Sequence, residues 1–241
     1  MEFLLVLALG LVAGTLGGMV GFGTSIMLMP ALVLVFGPRE AVPIMGIAAI
    51  MANASRVLAW WREVDWRVTA AYSCTGIPAA ALGARTLLAL PPGVVELCLG
   101  LFFLVMIGLR RWMARRHWRL GLWHMALVGA VLGYVTGIVV STGPINAPFF
   151  LAYGLVKGAY LGTEAAGSLA VFLAKAITFR SLGALPLDLA LKGLIIGSSL
   201  VAGAFIAKRL VRKIDPERFR LLMDALLLLA GLTMLWAGLR Q

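Results

Sequence analysis

Long apolar stretches separated by short basic clusters run the length of the chain, at about 3–16, 25–36, 41–60, 67–88, 94–109, 121–139, 148–156, 163–182, 187–206 and 219–238. Most are long enough, or nearly so, to cross a bilayer core, which takes roughly 20 apolar residues in helical form. Runs such as Leu226-Leu227-Leu228-Leu229 do not alternate, which excludes a membrane barrel. In hydrocarbon the backbone must bond within its own segment, so the pattern predicts an all-α polytopic membrane protein. Three stretches (3–16, 25–36 and 148–156) fall short of a span, and each flanks a Gly- or Pro-rich break.

Composition agrees: 62% of the residues are hydrophobic and 13% charged. A soluble domain is nearer half apolar and a quarter charged, so lipid is the solvent here. The net charge of +11 would point to nucleic acid in a soluble protein. The basic residues instead sit in short loops between apolar segments, where they set topology and meet lipid headgroups, so no nucleic-acid partner is expected. Cys74 and Cys98 lie in apolar stretches and read as packing residues. The start, Met1-Glu2-Phe3, lacks the basic region of a signal peptide and is expected to be retained.

Sliding the chain by 123 positions exposes an internal repeat. Gly10 and Gly14 fall on Gly133 and Gly137, Asp65 on Asp188, Arg85 on Lys208 and Gly108-Leu109 on Gly231-Leu232. Residues 1–112 form the first repeat, 113–120 a basic cytoplasmic linker and 121–241 the second repeat. Charge decides how the halves are related. Eight simple crossings divide the loop cations ten to nine. If the broken first segment of each half enters and returns as a hairpin, three crossings follow it and the halves are inverted. Fifteen cations then fall on one side, and Arg39, Arg85, Arg180 and Arg240 on the other. The positive-inside rule selects the second arrangement, with both termini outside the cytoplasm of a bacterial-type plasma (inner) membrane.

The two breaks hold the candidate chemistry. The first runs from Gly17 through Gly23, Thr24 and Ser25 to Pro30; the second contains Ser141, Thr142, Gly143, Pro144, Asn146 and Pro148. Non-helical backbone at membrane depth must be buried in protein or line a cavity. The prolines suit the start of a new helix, and a helix start offers free N–H groups and a positive dipole end. Two such ends at the midplane would bind a small anion, with Gly23, Thr24, Ser25, Ser141, Thr142, Gly143 and Asn146 supplying donors. Lys175, deep in its segment, would add positive charge, and Asn53 occupies nearly the equivalent place in the first half. Arg56 follows Asn53 on the same helical face and reads equally as an interfacial anchor. Asp224 is a candidate proton carrier or ion-pair partner, and Glu164 reads as a helix-start residue favoured by the dipole. Trp60, Trp61, Trp66, Trp112, Trp118 and Trp123 fit an aromatic belt beside the basic loops.

His117 and His124 lack nearby acid or thiol ligands, so no metal site is expected. No phosphate-binding loop, H-E-x-x-H or nucleophile–base constellation is present, so the chain reads as no enzyme and no cofactor is implied.

The two Gly-rich breaks, Gly14-x-x-Gly17 through Gly21-Phe22-Gly23-Thr24-Ser25 to Pro30 and Gly133-x-x-x-Gly137 through Gly143-Pro144 to Tyr153-Gly154-Leu155, resemble those of the TauE/SafE family of sulfite-exporter-like permeases. That family usually has three glycines where this chain has Gly23-Thr24-Ser25. The resemblance implies transport of a small, often sulfur-containing anion: sulfite, thiosulfate, a sulfonate or an organic acid. The residues themselves support only a small anion; the leading expectation is a secondary transporter in a lipid bilayer coupled to an ion gradient, of protons or of sodium. The alternative is a channel-like or cation-handling permease binding through backbone carbonyls. No segment specifies an oligomeric state.

Overall fold

The computed structural model describes residues 2–20, 23–91, 120–139, 142–155 and 157–210, with a few single positions between 94 and 112 and at 228 and 232. The predicted segments 94–109 and 219–238, with Asp224, therefore lie almost wholly outside the described residues. All regular structure among the described residues is helical: α1 (Glu2–Val20), α2 (Thr24–Trp60), a 3-10 turn (Trp61–Glu63), α3 (Trp66–Ala89), α4 (Leu122–Ile138), α5 (Gly143–Tyr153), α6 (Lys157–Ser181) and α7 (Leu187–Leu210). Within them, Arg39–Glu63 and Leu187–Ala207 are each long and apolar enough to cross a membrane.

α2 covers two predicted segments, and one residue inside it leaves helical geometry: Gly37, at φ 76° and ψ 162°. Thr24 and Ala52, on either side of Gly37, line one small cavity. A straight helix would hold them about 42 Å apart at 1.5 Å per residue, so α2 folds back at Gly37. α5 begins at Gly143, earlier than the apolar pattern indicates, with a proline in its first positions as expected of a helix start. The main-chain N–H of Leu120, just before α4, donates to Ala152 O near the end of α5 at 3.0 Å, which sets the entry to α4 beside the exit from α5.

Packing gives each helix a direction. α3 starts beside α6, where the Asp65 N–H donates to Thr163 Oγ1 at 2.9 Å and the Asp65 carboxylate caps α3 by accepting from the Arg67 and Val68 amides. α4 runs parallel to α3, with Gly129, Gly133 and Gly137 against the backbone of Tyr72, Gly76 and Ala80. α1 runs parallel to α7, with Gly14 against Leu200 and Gly18 against Ala204. A Cβ at Gly14, Gly129, Gly133 or Gly137 would collide with facing main-chain atoms, so these small residues set the closeness of both crossings. The extensive pairs are α1 with α7, α3 with α4, α2 with α7, α3 with α6 and α2 with α6. Exchanging α1 for α4, α2 for α6 and α3 for α7 maps this set onto itself.

α2 and α6 form the centre, where Leu28, Leu32, Met45, Phe172, Phe179 and Ile196 share one buried cluster. Lipid is as apolar as these side chains, so dense packing rather than water expulsion holds them together. Trp61, Trp66 and Trp123 are exposed at one end of the bundle, as an aromatic belt requires. Cys74 is exposed on α3, contrary to the packing role expected of it.

Candidate functional site

A buried polar cluster crosses the centre of the bundle, fed by five helices. Arg56, near the end of α2, donates from Nη1 to Glu164 Oε2 on α6 at 2.9 Å. Its other terminal nitrogen donates to Asn53 Oδ1, one turn earlier on the same face. Asn53 in turn donates from Nδ2 to Ala49 O at 2.8 Å. On the far side of Glu164, Oε1 accepts from Ser168 Oγ at 2.7 Å and from Asn146 Nδ2 at 3.2 Å. Tyr72 OH and Thr142 Oγ1 each lie 3.4 Å from Asn146 Oδ1. Thr142 also shares a hydrogen bond of 2.6 Å with Thr136 Oγ1 across the second break.

Glu164 is 1% exposed. A carboxylate at that depth survives only with a counter-charge and a full set of donors, and it has Arg56, Ser168 and Asn146. Tyr160, one turn earlier on the same helix, lies within electrostatic reach of both Glu164 and Arg56, and its buried hydroxyl has no hydrogen-bond partner among the described residues. An orphaned hydroxyl at a polar centre calls for a ligand or a water.

Lys175 is fully buried, and its Nζ donates to Thr136 O and Val139 O, both at 2.7 Å. Those carbonyls belong to the end of α4, where the helix leaves its acceptors unpaired. An ammonium there satisfies both and meets the negative end of the dipole. The lysine thus pins one edge of the second break. Its Nζ also lies 5.5 Å from the centre of the Phe179 ring. Phe179 lines an open vestibule of about 670 Å³ bounded by Arg39, Glu40, Leu88, Leu90 and Pro186, at the Gly37 end of the bundle.

The first break meets this cluster through Arg56. Gly14, Gly17, Gly18, Thr24, Ala52 and Arg56 line a small cavity, and Arg56 also lines a second one with Ser55, Trp60 and Leu161. Gly23 precedes α2 in the left-handed region at φ 107°, and no side chain caps the α2 start. Ser25 is buried beside it. At the start of α5 the N-cap residue, Thr142, likewise makes no side-chain cap. Ser141 lies outside the described residues.

Of the residues singled out from sequence, Asn53, Thr142 and Asn146 join the cluster directly, Lys175 joins it through Thr136, and Thr24 faces the cavity that Arg56 closes. Glu164 departs from expectation: it lies well inside α6, not at its start, and forms the central ion pair. Tyr72, Thr136, Tyr160 and Ser168 drew no notice. One signal was available for Ser168: Glu164, Ser168 and Lys175, spaced four and seven apart, make a polar stripe on one face of an apolar helix.

The family model described as Sulfite exporter TauE/SafE matches residues 6–234, nearly the whole chain. The chain belongs to the TauE/SafE family. It is therefore a membrane transport permease, and the polar cluster of this TauE/SafE protein sits within a transporter. No curated protein and no solved structure matches the chain.

Proposed function

We propose that this TauE/SafE protein is a secondary transporter of a small oxyanion, of the sulfite, thiosulfate, sulfonate or organic-acid class, driven by an ion gradient. The observation that carries the reading is Arg56: a nearly buried guanidinium at the junction of both breaks, facing the cavity beside the α2 start and tied through Glu164 to the α5 start. A guanidinium matches the planar fork of an oxyanion, and the α2 start, which no side chain caps, offers amide donors to complete its shell. In this reading Thr24, Ser25 and Asn53 belong to the Arg56 side of the site, and Thr142, Gly143 and Asn146 to the other; Ser141 is assigned there from its sequence position alone. Lys175 contributes by holding the second break in shape and placing positive charge nearby.

The inverted arrangement is part of the proposal. It is supported by the exchange of packing partners between the halves, by the fold-back at Gly37 and by the bond from Leu120 to Ala152. The Trp60 end, with Arg62 and Arg67, then faces the cytoplasm, while the vestibule opens outward. Rocking of one half against the other about the two breaks would alternate access. The cation-handling alternative needs free carbonyls at the breaks, and those of Thr136 and Val139 are occupied by Lys175.

The test is flux of labelled sulfite, thiosulfate and sulfoacetate into liposomes holding the purified protein. Saturable uptake of at least one, and its loss in Arg56→Ala, is the expected result. No uptake of any anion by folded protein sinks the reading, as does full uptake by Arg56→Ala.

A further inference from the structure

The transport reading leaves one feature unexplained: a carboxylate at the heart of a proposed anion site. Glu164 would repel the substrate if its charge were permanent. Yet it holds one of the guanidinium nitrogens that an oxyanion would need, at 2.9 Å.

We propose that the Arg56–Glu164 ion pair couples transport to protons: the entering anion takes Arg56 from Glu164, and Glu164 takes up one proton as it loses its counter-charge. This rests on the transport reading above and names its coupling ion and the residue that carries it. The balance is simple. One O–H bond forms on the Glu164 carboxylate from a proton supplied by water on the side where the anion enters. The same bond breaks when the anion leaves and Arg56 returns, so anion and proton move together.

The surroundings permit both states. With Arg56 withdrawn, a carboxylate 1% exposed would stand uncompensated in an apolar bundle, which favours its neutral form. The neutral acid needs an acceptor for its new hydrogen. Ser168 Oγ, 2.7 Å away, now donates to Glu164; a hydroxyl can rotate and accept instead. Asn146 Nδ2 can go on donating to the carbonyl-type oxygen. The charged and titratable groups facing the pair are few among the described residues. α3 contributes the Tyr72 phenol, α5 the neutral Asn146, and α6 itself the Tyr160 phenol. Lys175, three turns along α6, is engaged by the Thr136 and Val139 carbonyls. Glu63, beside Gly158, lies at the exposed Trp60 end. None of them replaces Arg56 as the counter-charge. The Tyr160 hydroxyl, without a hydrogen-bond partner among the described residues, lies within electrostatic reach of both members of the pair.

Calorimetric titration of the full-length protein with thiosulfate and with sulfoacetate, neither of which exchanges protons near neutral pH, gives the test. Run in imidazole and in Tris, whose ionisation enthalpies differ, it counts protons taken up per anion bound. About one proton per anion is expected for the native protein, with affinity falling about tenfold per pH unit once the carboxyl ionises in the free site. Glu164→Gln, which imitates the neutral acid, should bind at least as tightly, take up none and lose the pH dependence. Glu164→Asp, which keeps an acid, should retain the proton and controls for a folding defect in the glutamine variant. Binding by the native protein without proton uptake overturns this inference and leaves the transport reading intact, and so does proton uptake by Glu164→Gln. No binding of either anion by folded protein overturns both.

Discussion

Arg56 and Glu164, 108 positions apart in sequence, close a 2.9 Å ion pair that joins the second helix to the sixth at the centre of the bundle. Each residue is the buried counter-charge of the other. Breaking a buried ion pair by removing one partner typically costs about 3–5 kcal/mol. Arg56→Met and Glu164→Met should therefore each destabilise strongly in thermal or denaturant melts in detergent. The double variant should cost clearly less than the two added together. Additive losses would show that the pair is not coupled.

Lys175→Met is expected to act on stability before it acts on affinity. The variant deprives two buried carbonyls, Thr136 O and Val139 O, of their donor. Each unsatisfied group costs about 1–3 kcal/mol, so the melting temperature should fall by several degrees. Anion affinity of the fraction that remains folded should fall less than in Arg56→Ala. A larger loss of affinity than of stability would return Lys175 to direct anion binding.

The glycines of the close crossings should tolerate no side chain. Gly129→Val and Gly14→Val drive a Cβ into the facing main chain of α3 and α7, and both should lower the yield of monodisperse protein and its melting temperature. Gly46 is the internal control. It lies in α2, and a Cβ there meets nothing within 4 Å. Gly46→Ala should stabilise by about 0.5–1 kcal/mol through helix propensity alone.

Accessibility labelling fixes the orientation. In a variant lacking Cys74 and Cys98, single cysteines at Arg62 and Leu122 should react only from the cytoplasmic side, and cysteines at Gly183 and Asp188 only from outside. Arg115 and Lys213, in the two basic clusters, should share the side of Arg62. Reaction of Arg62→Cys and Gly183→Cys from the same side would contradict inverted halves.

The sequence by itself determined the solvent, the secondary structure and the places where helices stop. Apolar length forces helix in lipid, and Gly23 and Pro144 mark where a new helix starts. The starts of α3, α4 and α7 fall within a residue of the apolar pattern, because Asp65 and the flanking basic loops mark them locally. It also singled out Lys175, Asn53 and Asn146, because polar groups stand out against an apolar background. What it could not carry was partnership. Whether Lys175 meets a ligand or a carbonyl depends on where α4 ends relative to α6, a distance set by glycine contacts between α3 and α4. Glu164 looked terminal because α6 begins earlier than its hydropathy indicates, and its role appeared only once α2 folded back at Gly37 and brought Arg56 alongside. Charges at the surface announce themselves in one dimension; a buried charge takes its meaning from the opposite charge that packing brings to it.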